Sequence, residues 1–178
     1  MCVLFGVAAV LPWNALVAAM DIFETNLPDY KPSSLISFII NGCLLLMSVI
    51  NTLYGHHFSY NFKISVTNLM CAIFMIPIPF IAVKLEKDVA FWIEVALVTI
   101  VGISSGIAES STLSLGGMMP STHMGGIMLG FAISGFLANI VRIIVLLSLP
   151  DNMLLSSVIY FSIGGVLLML ASFAHWRF

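Results

Sequence analysis

Apolar runs of about 20 residues, parted by short polar clusters, limit what this sequence can fold into more than any other feature. Asp21, Glu24, Asp29 and Lys31 stand together, as do Lys84, Glu86, Lys87 and Asp88. A run of that length is what a helix needs to cross a hydrocarbon core of ~30 Å. The composition agrees. Of 178 residues, 61% are hydrophobic and 8% charged, with a mean hydropathy of +1.14. A soluble domain carries roughly 25% charged residues, so this chain could not cover a water-facing surface. Six spans are expected, at about 1–23, 33–54, 64–83, 89–118, 122–148 and 152–174. The expected fold is all-α, a polytopic bundle of six transmembrane helices in a lipid bilayer. Short connections favour one six-helix unit over residues 1–178.

Turn-forming residues punctuate the runs: Pro28 and Pro32, then Gly55-His56-His57, Lys84 to Asp88, Pro120-Ser121-Thr122, and Pro150-Asp151. Pro77 and Pro79 lie inside the third span and predict a kink or a locally broken hydrogen-bond ladder. The first run lacks a basic leader and more spans follow it, so it reads as a membrane helix and not as a signal peptide. An even number of spans puts both ends on one side. Lys63 and Arg177 fall on that side, and Lys31, Lys84 and Lys87 on the other, a balance that does not decide orientation.

Several function classes recede. A net charge of −2 without a basic stripe argues against nucleic acid as a partner. Cys2, Cys43 and Cys71 lie in apolar surroundings and read as small hydrophobes. His56, His57 and His123 fall in expected loops without further ligands at metal-binding spacing, so no metal site is expected. Neither a nucleophile elbow nor a zinc-protease, phosphate-loop or paired-carboxylate motif occurs, which disfavours an enzyme. No cofactor is expected.

The residues that can carry chemistry are the polar ones inside the spans. Glu109 lies roughly 14 Å from the Pro120 end of the fourth span, at 1.5 Å per residue. A carboxylate at that depth must face protein, a watery cavity or a partner. Its neighbours at helical spacing, Gly102, Ser105, Gly106, Thr112 and Gly116, are small or polar. One reading makes Glu109 a substrate or proton site; the other makes it a structural carboxylate bonded to a neighbouring helix. Arg142 follows a ladder of Gly126, Gly130, Ser134 and Ala138 that lets another helix approach closely. It lies about 33 Å along the fifth span from the Pro120 turn, too far in depth to pair with Glu109. Glu94 and Asp21 are the better depth matches, so Arg142 is expected in a gate or ion pair with one of them. Leu11-Pro12-Trp13-Asn14 puts a proline bend beside two side chains able to reach a cavity. Asn41 and Asn51 fall on roughly opposite faces of the second span, so at most one points at a central site.

Two stretches together resemble the equilibrative nucleoside transporters. Leu11-Pro12-Trp13-Asn14 is similar to that family's signature in its first span. Gly106-Ile107-Ala108-Glu109, Gly117-Met118-Met119-Pro120, Met128 with Gly130, Gly135-Phe136 and Arg142-Ile143 follow its fourth-to-fifth-span pattern. Asn51-Thr52-Leu53 with Lys63 resembles the end of its second span and the basic cytoplasmic loop beyond. The resemblance implies the N-terminal half of a fold similar to the major facilitators, with a cytoplasmic N-terminus. It implies transport of nucleosides or nucleobases by alternating access, from a plasma-membrane location. By residue match it places Trp13, Val17 and Glu109 on the central cavity, Asn14 beside them, and Asn41 and Leu44 on the second-span wall. The family usually has glutamine where Glu109 stands. It also has further helices, which carry the Asp and Arg that hold the ribose. The resemblance therefore implies a fragment, or a half that needs a second chain or the missing C-terminal helices. The alternative is a truncated, non-transporting membrane protein acting through helix–helix association.

Overall fold

The computed structural model describes residues 2–150 and 152–176. Met1 of the first expected span, Asp151 of the fifth turn and Arg177 of the charge balance lie outside the described residues, as does the side chain of His56. Among the described residues every regular element is helical: α1 (Cys2–Ala18), α2 (Met20–Asn26), α3 (Pro32–Tyr54), α4 (Tyr60–Met75), α5 (Ile78–Lys84), α6 (Lys87–Gly117), α7 (Ser121–Ser148) and α8 (Met153–Trp176). Short 3-10 turns at Pro28–Tyr30 and Gly55–His57 join α2 to α3 and α3 to α4. With α1–α2 and α4–α5 each read as one interrupted helix, six helical segments are long and apolar enough to cross a membrane.

The interruptions have local causes. The third span breaks between Met75 and Ile78, where Pro77 and Pro79 lack the amide hydrogens needed to continue the ladder. Of the kink or broken ladder expected from sequence, the broken ladder is present. The first span is interrupted at Ala19, which is fully buried and offers no side-chain cap to α2. Ser59 caps α4 by accepting a hydrogen bond from the Phe62 amide at 3.4 Å. That cap starts the helix at Tyr60, not at 64, and carries Lys63 into it. The expectation that Lys63 lies in a loop is thereby corrected: it is a buried residue of α4. His123 is likewise in the first turn of α7, where it remains exposed, and not in a loop.

Packing arranges the helices in two layers. In front, α3 lies on α6, α6 on α1 and α1 on α7; behind, α4 contacts α6 and α8, and α8 contacts α1 and α7. Ser65 and Ser172 tie α4 to α8 reciprocally, each hydroxyl donating to the other residue's carbonyl, at 3.2 and 2.8 Å. Leu16, Ile22, Phe23, Met75, Phe161 and Leu168 fill the space between the layers. The closest approach is at the α1–α7 crossing. A methyl group on Gly130 would lie 2.8 Å from the Val7 nitrogen and 2.9 Å from the Gly6 Cα, and one on Gly6 would lie 3.0 Å from the Gly130 Cα. Only glycine permits backbones to meet so closely, which is the use made of the small-residue ladder in the fifth span. The partner of that ladder is α1.

Candidate functional site

The residues singled out in the sequence sit mainly on the three adjacent front helices α1, α6 and α3. Ser105 on α6 donates to the Ala9 carbonyl of α1 at 3.4 Å. Gly106, the next residue, faces α3: a methyl group there would meet the Met47 Cβ at 2.9 Å and the Leu44 Cα at 3.2 Å. Glu109 is four residues past the one and three past the other, so it lies over the seam between α1 and α3. It is half-buried. Its carboxylate forms no hydrogen bond or ion pair with another described residue. Gly102, Ser105, Gly106, Thr112 and Gly116 around it are all buried.

Trp13 is one turn beyond Ala9 on α1. Consecutive spans alternate direction, so α1 and α6 run antiparallel, and Trp13 and Glu109 leave the Ala9–Ser105 contact in opposite senses. They are separated by about 12 Å along the seam, a little over two helical turns. Trp13 and Leu44 are half-buried and pack on the core, whereas Val17 is 43% exposed. Asn41 is exposed, its Nδ2 donating back to the Ser37 carbonyl at 2.7 Å. Asn14 turns the other way, towards α7, where its Nδ2 donates to the Ser134 hydroxyl at 3.1 Å. Trp13, Leu44 and Glu109 thus share a seam. Val17 and Asn41 lie on exposed faces of α1 and α3, and Asn14 belongs to the α1–α7 contact.

Arg142 meets Asp21. Its Nη2 donates to both carboxylate oxygens, at 2.7 and 2.8 Å, and its Nη1 donates to the Ser157 hydroxyl at 3.2 Å. The guanidinium also lies 5.4 Å from the centre of the Tyr160 ring. One side chain therefore ties α2, α7 and α8 together at the end of the bundle that carries the first, third and fifth turns. Of the two acids matched by depth, the pairing with Glu94 is not formed. Glu94 is only 2% exposed on α6, and neither of its oxygens has a hydrogen-bond partner. At the same end, outside the spans, Tyr30 donates to Asp88 and Lys87 lies 3.7 Å from Asp29. The hydrogen bond to Asp88 raises the Tyr30 phenol above its ordinary pKa.

At the opposite end is a cluster that sequence reasoning missed. The Asn51 amide donates to the Ser110 and Ser111 hydroxyls at 2.8 and 3.1 Å, and its carbonyl oxygen accepts from Lys63 Nζ at 3.1 Å. Lys63 also donates to the Gly55 carbonyl at 3.0 Å. The available signal was the Ser110-Ser111 pair on the fourth span beside an intramembrane asparagine. It was hidden because Lys63 read as a loop residue.

Fold and site together define a polytopic membrane protein with a polar seam between its first, second and fourth spans. Comparison with known proteins sharpens this. The sequence model of the nucleoside transporter family matches residues 95–176. The chain is 28% identical over 173 residues to equilibrative nucleotide transporter 8 of Arabidopsis thaliana, covering 93% of this chain and 44% of that protein. It is 26% identical over 176 residues to equilibrative nucleotide transporter 1 of the same plant, covering 94% and 39%. With human equilibrative nucleoside transporter 4 it shares 24% identity over 178 residues, covering 97% and 33%. The chain is thus similar to nucleoside transporters over residues 95–176 by family pattern, and to the N-terminal portion of these relatives along nearly its whole length. It spans less than half the length of each of these relatives.

Proposed function

We propose that this chain supplies the N-terminal half of a plasma-membrane pathway that moves nucleosides or nucleobases by alternating access. The observation that carries the reading is the match to transporters along nearly the whole chain. The seam supports it: a carboxylate held at membrane depth without a protein partner, with an aromatic ring two turns away, suits a ligand with both a polar edge and a flat face.

In this reading Trp13 offers its ring to the base, and Val17 and Leu44 form apolar walls. Glu109 addresses the polar edge of the base. Ionised, it only accepts hydrogen bonds; protonated, it donates and accepts. That difference would link base recognition to protons. Asn14 holds α1 on α7 so that Trp13 keeps its place, and Asn41 extends the second-span wall. The Arg142–Asp21 pair acts as a gate, fastening the end of the first span to the fifth and sixth while the other end is open. Glu94 stands near that end as a second gating carboxylate. The opposing wall comes from later helices, on the same polypeptide or on a second chain.

The test is Glu109→Gln in cells that take up labelled adenosine and uridine through this chain and its complementary helices. Uptake should persist, with an altered preference between the two and a flattened pH profile. Unchanged preference and unchanged pH profile would remove Glu109 from the proposal.

A further inference from the structure

Between the end of α3 and the start of α4 a cleft of about 290 Å³ opens, with a wall that is almost wholly apolar. Ile50, Tyr54, Phe58, Phe62 and Val66 line it. All five are exposed, Tyr54 and Phe58 by 66% and 62%. A tyrosine at the end of a membrane span, such as Tyr54, favours the headgroup level of a bilayer. Lys63 also lines the cleft, one turn into α4, yet is only 8% exposed.

The ammonium of Lys63 has an unusual shell. Its two hydrogen bonds go to neutral oxygens, those of Asn51 and Gly55, and the Tyr60 ring centre is 4.6 Å away. The two ion pairs among the described residues are elsewhere, Arg142 with Asp21 and Lys87 with Asp29. The charge is therefore oriented but not neutralised, and one of its three N–H groups is uncommitted to an oxygen. The orientation is built. Ser110 and Ser111 hold the Asn51 amide so that its oxygen faces the ammonium. Gly55 leaves room for it, since a methyl group there would stand 2.9 Å from Nζ. A buried cation calls for an anion, and an exposed aromatic wall beside it calls for hydrocarbon. One molecule that supplies both at this depth is an anionic amphiphile.

We propose that this cleft binds an anionic phospholipid, with its phosphate on Lys63 and an acyl chain along the wall of Ile50, Phe58, Phe62 and Val66. The site is separate from the seam at Glu109 and does not depend on what the chain transports. The experiment uses the full chain in vesicles containing phosphatidylglycerol and phosphatidylcholine with identical acyl chains, followed by native mass spectrometry of the retained lipid. The wild-type chain should retain phosphatidylglycerol in about fivefold preference, the ratio expected of one basic side chain against an anionic headgroup. Lys63→Gln should bring the ratio to about one, and Phe58→Ala should weaken retention of both lipids while keeping the preference. Equal retention of the two lipids by the wild-type chain overturns the proposal, whether or not either variant folds. So does a preference that survives Lys63→Gln. Displacement of phosphatidylglycerol by millimolar inorganic phosphate, with Phe58→Ala without effect, would show a small-anion site and overturn the lipid assignment.

Discussion

Arg142 shows how far a single residue can be placed from sequence. Rise per residue fixes its depth, and depth alone excludes Glu109 and leaves Asp21 and Glu94. Choosing between them needed the direction of each side chain, which depends on tertiary packing around the break at Ala19. Nothing in the local sequence announces that break. Removing Asp21's charge leaves a guanidinium that is only 4% exposed without its counter-ion. Asp21→Asn is therefore expected to destabilise the purified protein by about 2 kcal/mol, less than a fully buried pair loses, because Asp21 itself is 41% exposed. Thermal unfolding in detergent checks this, and the double exchange Asp21→Arg with Arg142→Asp should recover part of the loss. Glu94 should behave oppositely. Its oxygens are buried without partners, so Glu94→Met relieves a desolvated carboxyl and should raise the unfolding temperature, a gain of about 1 kcal/mol or more. A lower unfolding temperature for Glu94→Met would show that the carboxyl is held by something else.

At the scale of elements, the spans were legible because hydropathy over 20 residues is a strong, local signal. The proline break in the third span was legible for the same reason, since a missing amide acts where it stands. Element starts were less so. A single serine hydroxyl at Ser59 moved the beginning of α4 and took Lys63 from a loop into the interior, and with it the Asn51–Ser110–Ser111 cluster went unseen. The small-residue ladder on α7 announced a close helix contact but not its partner. That α1 is the partner depends on tertiary packing through Gly6. The crossing makes a sharp prediction. Gly130→Ala places a methyl group against the backbone of α1 and should cost roughly 1–3 kcal/mol, the usual range for forced overpacking. Gly125→Ala, on the same helix with nothing within 4 Å of the added carbon, should be neutral or slightly stabilising. Comparable losses in both variants would mean that helix propensity, not the crossing, governs stability there. Unfolding curves of the two variants side by side decide it.

At the scale of the whole molecule, the front layer of α3, α6, α1 and α7 carries Trp13, Asn14, Leu44 and Glu109, while α4 and α8 back it. The three seam residues Trp13, Leu44 and Glu109 come from three different spans, and their placement along one seam follows from the order in which those spans pack. Sequence alone supplied the residues through a family pattern. It supplied neither the seam nor the fact that Asn14 faces α7, because both depend on which helix lies beside which. The central proposal is that this seam is one wall of a nucleoside pathway whose opposing wall lies in later helices. The direct measurement is uptake of labelled adenosine and uridine into transport-deficient cells. One set expresses this chain alone, and another expresses it together with the part of the 28%-identical Arabidopsis relative that this chain does not cover, with surface amounts matched. The proposal predicts background uptake for the chain alone and saturable uptake for the pair, abolished when Trp13 and Glu109 are both replaced by alanine. Uptake by the chain alone, or none by the pair with both polypeptides at the surface, would contradict it.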